Sequence, residues 1–480
     1  MSSNISRRRF VQATAAAGLV VPASSAMPAV ITRGRLEKPT LLGIGAGGRG
    51  KADLQEMRDA GFDVIALADI VDAKKLTAIE DKRLQKNVDV REMFPQATFG
   101  TDYRQMIADL GDKIDAVLVS TPDHHHFHAS VQAMLAGKHV YCQKPLTHGI
   151  WEARKMTEVA TQTKVKTQMG NQGHAQDHLR RCVELIQAGV IGPVKAIHAW
   201  TNRPIWPQGF AKAPTAMRVP KGIDWEQWIG PAPRVEYSSE IAPFSWRGWW
   251  DYGTGALGDM ACHIMDVGFW GMAATSPVRV KAEQNGGTEL SPPINSRIQW
   301  DFAANQFSSA DGFSIHWYDG YLDAHFQRDT WSLEKKSPEY NHPGEDVLEG
   351  MEFEKYGSVI VGEHGKLFFD RHDDRWVLKV DGGIDGFDWP AERIPRAAGQ
   401  NAYKEWYQAV VGEVETAQSN FSYAGPFTET VLLGVLAQRV PGEELRWNSD
   451  KLEVVGRPEL SRLVKRDYRA GWSEVELLRS

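Results

Sequence analysis

Cysteine is scarce: only Cys142, Cys182 and Cys262 occur in 480 residues. An odd number at wide spacings implies no disulfide framework, and a chain that folds in a reducing compartment needs none. Basic residues are not in excess either. Fifty-five Lys and Arg stand against 61 Asp and Glu, for a formal net charge of −6. That lacks the footprint of a nucleic-acid binder. No apolar run reaches the ~18 residues needed to span a bilayer, and there is no internal repeat or low-complexity tract. The length itself exceeds what one hydrophobic core serves, so two domains are expected.

The N-terminus carries a recognisable pattern. In "SRRRFVQATAAAGLVVPASSA", Arg7, Arg8 and Arg9 precede Phe10 and a weakly hydrophobic run from Ala13 to Val21. Ser24 and Ala26 then supply a small-x-small cleavage site. Residues 1–26 read as a twin-arginine signal peptide, with an uncleaved basic N-terminus as the alternative; 27–38 read as a linker. The expected location is periplasmic or otherwise exported, with the twin-arginine machinery as a partner. That route carries folded proteins, so a cofactor acquired in the cytoplasm would travel inside the chain, tightly bound. The shortage of cysteine agrees.

From residue 39 to 165 short apolar strands alternate with helices: "TLLGI", "FDVIALADI", "AVLVS", "HVYCQ". This is the pattern of a parallel sheet covered on both faces. From 166 to 480 longer strands such as "SRIQWDF", "FSIHWYDG" and "SVIVGEHGKLFFD" follow one another with few helices between. They predict an α+β domain on a large, mostly antiparallel sheet. The fold class is therefore α/β with a second, α+β domain. Seventeen tryptophans are many for this length. Their faces stack on sugar C–H surfaces, or they fill cores and interfaces.

Gly45-Ala46-Gly47-Gly48-Arg49-Gly50 is G-x-G-x-x-G, directly after a strand and before a helix. Gly45, Gly47, Gly48 and Gly50 permit a tight turn whose N–H groups approach a pyrophosphate, with Arg49 at the same turn. Asp69 ends the next strand, where a carboxylate accepts from the adenosine ribose hydroxyls and repels a 2′-phosphate. That favours NAD, with NADP left open because Arg49 and Lys74 or Lys75 can soften the repulsion. "TPDHHHFH" follows a further strand. Thr121, Pro122 and His126 are expected to position the nicotinamide ribose; a helix cap at Thr121 or Asp123 is the simpler alternative. His124, His126 and His128 lack a matching ligand cluster, so no metal site is assigned.

Lys144 in "YCQKPLTH" follows the next strand and so belongs at the same crevice. It is an acid/base candidate whose pKa partial burial beside a cationic nicotinamide would depress. In "GTGALGDMACHIMD" a helix over 259–266 would put Asp259, His263 and Asp266 on one face. His263 is suited to accept a hydroxyl proton, and Asp259 to hold a substrate hydroxyl or the imidazole. Trp249 and Trp250 either stack on a sugar or pack an interface. Asn171, Gln172 and His174 are secondary pocket candidates.

At "GIGAGGRG", "ALAD", "TPDHHH", "AGKHVYCQKPLTH" and "WWDYGTGALGDMACHIMD" the chain resembles the glucose–fructose oxidoreductase/inositol dehydrogenase (Gfo/Idh/MocA) family. The resemblance runs from about residue 39 to the C-terminus. It implies a Rossmann domain, an antiparallel α+β domain, a bound NAD(P) and a dimer or tetramer formed through the sheet. It places Lys144, Asp259 and His263 in the substrate pocket as catalytic residues. The family's E-K-P motif reads Gln143-Lys144-Pro145 here. Gln143 joins the cofactor-contacting set and can still hydrogen-bond, but it supplies no charge to Lys144, which implies a lower lysine pKa. The expected activity is oxidation of a hydroxyl of a sugar, cyclitol or glycoside. Two alternatives stand beside it: a redox-neutral, glycoside-cleaving enzyme that recycles its NAD, and a non-catalytic sugar-binding protein.

Overall fold

The structure, a computed structural model, describes residues 37–72, 88–370 and 375–473. The signal peptide, most of the linker, Lys74 and Lys75 lie outside the described residues.

The first domain is a six-stranded, wholly parallel sheet. Its strands are β1 (Thr40–Ile44), β2 (Asp63–Ala68), β3 (Thr98–Gly100), β4 (Ala116–Val119), β5 (His139–Cys142) and β6 (Thr167–Met169), in the order β3-β2-β1-β4-β5-β6. β4 is buried along its whole length, as helices on both faces require. The order reverses at β1, whose two neighbours are β2 and β4. A crevice opens there at the carboxyl edge, and ligands of such sheets bind in it. The sheet continues past the boundary expected at 165, because β6 follows it. The late helix Ala402–Val410 also completes this domain: Tyr403, Trp406 and Val410 pack with Leu41, Leu54 and Tyr141.

The second sheet has nine strands. They are β7 (Val194–Thr201), β8 (Arg279–Asn285), β9 (Asn295–Phe302), β10 (Phe313–Asp319), β13 (Tyr356–Gly362), β14 (Gly365–Asp370), β15 (Arg375–Val380), β16 (Glu444–Asn448) and β17 (Glu453–Val454). β11 (Ala324–Gln327) and β12 (Ser332–Lys335) form a separate hairpin. The order is β15-β14-β13-β7-β10-β9-β8-β16-β17, with only β7 and β10 parallel. Phe313, Ile315 and Trp317 point into the core while Ser314, His316 and Tyr318 alternate outward. Most of the tryptophan surplus is structural: Trp200, Trp300, Trp317 and Trp406 are among the largest fully buried side chains.

Two helices tie the domains together. Phe421–Gln438 is buried almost all round and lies against Ile150–Thr163. Gly255–Ile264 packs against the nine-stranded sheet and presents Asp259 and His263 to the crevice. Among the described residues, no helix is long and apolar enough to cross a membrane.

Candidate active site

The glycine-rich turn leaves β1 and enters the helix Arg49–Ala60. At Gly45 (φ 77°) a Cβ would lie 2.8 Å from the Ser120 backbone, and at Gly50 it would strike the Gly45 carbonyl. Gly48 (φ 53°) has open space where its side chain would be, and no side chain caps the helix. Free space above uncapped helical N–H groups fits a pyrophosphate.

Asp69 stands at the end of β2, where its oxygens accept from Gly47 N (2.8 Å) and Val71 N (2.9 Å). Burial pushes its carboxyl up, against the N–H groups of Val71, Gly47 and Ala46. Arg49 turns away from this carboxylate: Nε donates to Asp53 (2.8 Å) and Nη2 to the Tyr403 hydroxyl (2.6 Å). The arginine expected to soften Asp69 is thus engaged elsewhere.

One cavity of about 590 Å³ is lined by Gly45, Gly47, Gly48, Arg49, Asp69, Thr121, Pro122, Gln143, Lys144, Asp259 and His263. Residues more than a hundred positions apart therefore meet at one crevice. Lys144 Nζ lies 2.7 Å from Asp259 Oδ1 and 2.9 Å from the Asp259 carbonyl. His263 follows one turn later on the same helix. The negative charge that Gln143 cannot give Lys144 comes instead from Asp259.

Arg247, from the short 3₁₀ turn Ser245–Gly248, extends this pair. Its Nε is 3.4 Å from Asp259 Oδ1, and its Nη1 donates to Asp123 at 3.0 Å. Thr254 Oγ1 donates to the other Asp123 oxygen at 2.8 Å. Burial works against ionising Asp259, but Lys144 and Arg247 outweigh it and hold the carboxyl far below its ordinary value. Among these four side chains in direct contact, two cations face two carboxylates and neutralise one another. Asp123 is fully buried and the other three are partly buried, so removing one member leaves an unbalanced charge in a largely desolvated site.

Three expectations need correction, and the choice left open for Trp249 and Trp250 falls to packing. His126 does not line the cavity. It is buried beneath, where Nδ1 donates to the Pro145 carbonyl (2.8 Å) and Nε2 to the Thr121 carbonyl (2.9 Å), joining the loops after β4 and β5. Asp266 does not share a face with Asp259. The helix ends at Ile264, and a second one, Asp266–Gly271, turns that carboxylate towards Asn171, His174 and Tyr423. Asn171 and His174 are thereby drawn from the cavity, and only Gln172 of that trio lines it. Trp249 and Trp250 are buried, their indole N–H groups donating to Glu240 and Thr288 carbonyls.

The cavity wall uses other aromatics: Trp225, Trp228, Tyr237, Phe244 and Trp246. Sequence reading singles out none of these, nor Arg247, Asp53 and Tyr403, although the Pro-, Trp- and Gly-rich stretch 203–258 that holds most of them reads as a substrate-side or interface loop. For Arg247 the signal was present: a lone cation among tryptophans in "SWRGWW". Asp53 and Tyr403 gave none, because they are 350 residues apart.

Part of this wall is a strap across the crevice. Val71 and Ile223 form an antiparallel bridge, flanked by Asp72 N to Gly222 O (2.8 Å) and Asp224 N to Ile70 O (2.9 Å). The strap continues into the helix Trp225–Ile229, where His124 and His125 both donate to the Trp228 carbonyl. Arg469, near the C-terminus, grips the far end through Gly230 O (2.9 Å) and Glu226 (2.6 Å). The segment is therefore fixed over the ends of both β2 and β4, with the glycine-rich turn between.

Comparison with known proteins agrees with this architecture. Residues 41–171 match the oxidoreductase family, NAD-binding Rossmann fold, and residues 179–305 match the oxidoreductase family, C-terminal alpha/beta domain. The D-xylose 1-dehydrogenase (NADP(+)) of Hypocrea jecorina is 31% identical over 136 residues, 28% of this chain and 32% of that protein. The inositol 2-dehydrogenase of Rhizobium meliloti is 28% identical over 144 residues, 28% of this chain and 43% of that protein. Alignments with the first curated relatives span only 28%, 25% and 32% of their length. The WlbA dehydrogenase of Bordetella pertussis, solved with NADH and UDP-GlcNAcA, shares the fold: it is 14% identical with a TM-score of 0.57, over 86% of this chain and 99% of its own. Two adjoining family matches, the crevice they enclose and the shared fold lead to one conclusion: the chain belongs to the Gfo/Idh/MocA family of oxidoreductases.

Proposed function

We propose that this chain is a nicotinamide-dependent oxidoreductase acting on a hydroxyl of a neutral sugar, cyclitol or glycoside. The observation that carries the reading is the single cavity shared by the glycine-rich turn, Lys144, Asp259 and His263. The uncapped turn and the open space at Gly48 fit a dinucleotide. Asp69, with Arg49 turned away, favours NAD over NADP. The cancelling charges of Lys144, Arg247, Asp259 and Asp123 favour an uncharged substrate.

When bound, the nicotinamide supplies a hydride acceptor. The chain's part is to bind and orient the hydroxyl and to move its proton. Lys144, held by Asp259, donates a hydrogen bond to the hydroxyl oxygen. His263 takes the proton from that oxygen. Asp259 keeps Lys144 in place, and Arg247 keeps Asp259 ionised. The strap supports slow cofactor exchange, since release past it requires breaking its strand pairing.

Export by the twin-arginine route and a periplasmic location belong to the same proposal. They rest on the Arg7–Ala26 pattern and on the sense of carrying a retained cofactor out with the folded chain. Assembly as a dimer or tetramer through the nine-stranded sheet is likewise proposed. The test is incubation with a panel of neutral sugars, cyclitols and glycosides, followed by nicotinamide absorbance and product analysis. Formation of a keto sugar or lactone with reduced nicotinamide supports the reading. Glycoside cleavage without net reduction would support the recycling alternative, and no turnover in the whole panel would contradict both.

A further inference from the structure

We propose that Asp53 is a positioning residue for the cofactor cradle, and that it is the reason a glutamine precedes Lys144. The inference rests on the nucleotide reading above.

Asp53 lies on the first helix, fully buried and outside the cavity wall. Four donors converge on its carboxylate. Oδ1 accepts from Arg49 Nε (2.8 Å) and the Tyr403 hydroxyl (2.6 Å); Oδ2 accepts from Ser120 Oγ (2.8 Å) and Gln143 Nε2 (2.9 Å). Tyr403 in turn accepts from Gln172 Nε2 at 3.2 Å. Arg49, Ser120, Gln143 and Gln172 all line the cavity. Four points of the cradle, at the start of the first helix and after β4, β5 and β6, thus hang on one carboxylate, Gln172 through Tyr403.

The carboxylate also decides how Gln143 sits. Because Asp53 only accepts, the Gln143 amide must turn its NH₂ towards it. Its oxygen is then left facing Lys144, whose backbone N–H lies 3.4 Å away. Gly170 makes room: a Cβ there would lie 2.7 Å from the Gln143 carboxamide. A glutamate in place of this glutamine would set acceptor against acceptor in a buried site, and a buried polar group without a partner is strongly unfavourable. Gln143 and Asp53 therefore form one unit: the carboxylate is carried by the helix, and the residue before the lysine is the neutral donor it requires.

The test is NADH titration, followed by fluorescence, of the full chain and of three variants: Gln143→Glu, Asp53→Asn, and the double variant that combines the two. Gln143→Glu should weaken NADH binding about tenfold or more. The double variant should recover most of it, because the amide introduced on the helix can donate to the carboxylate introduced before Lys144. Gly170→Ala displaces Gln143 without changing charge, so it should weaken binding and not be rescued by Asp53→Asn. The inference is overturned if Gln143→Glu binds as tightly as the parent, if the double variant binds no better than Gln143→Glu, or if Gly170→Ala has no effect. A uniform loss of melting temperature with unchanged NADH affinity would make the unit merely structural and overturn it too. A parent chain that binds no NADH defeats the nucleotide reading first, which separates the two failures.

Discussion

Lys144 and Asp259 meet at 2.7 Å beside His263, and the proposed chemistry gives each a separable task. Lys144→Met should lower turnover by about 10²–10⁴ while leaving the dinucleotide turn intact, as measured by single-turnover kinetics on substrate. His263→Asn should lower turnover by a similar factor and abolish the limb of the pH–rate profile that reports the proton acceptor. If that limb survives, the base lies elsewhere. His126 offers a different test. Both its nitrogens donate to carbonyls, and although burial opposes the charge, Cys142, Asp123 and the Pro145 carbonyl lift the imidazole to about 9. A raised folded value stabilises fully below the unfolded value of 6.5 and is lost as pH rises through about 9, a swing of about 3 kcal/mol. The urea midpoint should fall over that window in the parent and much less in His126→Gln. Lys144 was legible because it follows a readable strand, and Asp259 and His263 because they lie four apart on a readable helix. His126 was not: its role as a clamp depends on two carbonyls from different loops.

The strap is the element on which the proposed slow cofactor exchange rests. Asp224 caps its helix through Gln227 N and accepts from Thr101 Oγ1 at 3.1 Å, so Asp224→Ala loses a cap and an interdomain contact together. A lost cap of this kind costs about 1 kcal/mol. Asp224→Ala and Arg469→Ala should each speed NADH dissociation by several-fold to about tenfold, read by displacement with excess NAD. An unchanged rate in both would leave the strap without a part in retention. The parallel strands were readable because strands buried on both faces are continuous apolar runs. The strap was not, because "KGIDWEQWIG" carries no strand signal and its one bridge, Val71 with Ile223, is set by tertiary contact. The break at Met265 was equally hidden: "CHIMDV" holds no glycine or proline, and Asp266 is drawn aside by Asn171, His174 and Tyr423.

Across the whole molecule, the domains are interleaved more than the chain order announces. The helix Ala402–Val410 returns to finish the first domain, and the segment around Arg466 and Trp472 packs back on it. There Arg466 Nε meets Glu152 at 2.9 Å, and His128 donates to the Trp472 carbonyl at 2.8 Å. The parallel first sheet and the mostly antiparallel second one were readable from strand patterning. The return of the C-terminal third was not, since no local signal links Tyr403 to Asp53. Interleaving of this kind means that cofactor site and substrate site fold as one unit, so the chain should melt in a single transition that shifts upward with added NAD. The most direct test of the account is rapid mixing of the NAD-loaded protein with its best neutral polyol, in ordinary form and deuterated at the reacting carbon. Reduced-nicotinamide absorbance should rise with a primary isotope effect and be lost in Lys144→Met. Substrate conversion with no reduced nicotinamide at any time, or an equal rate in Lys144→Met, would contradict it.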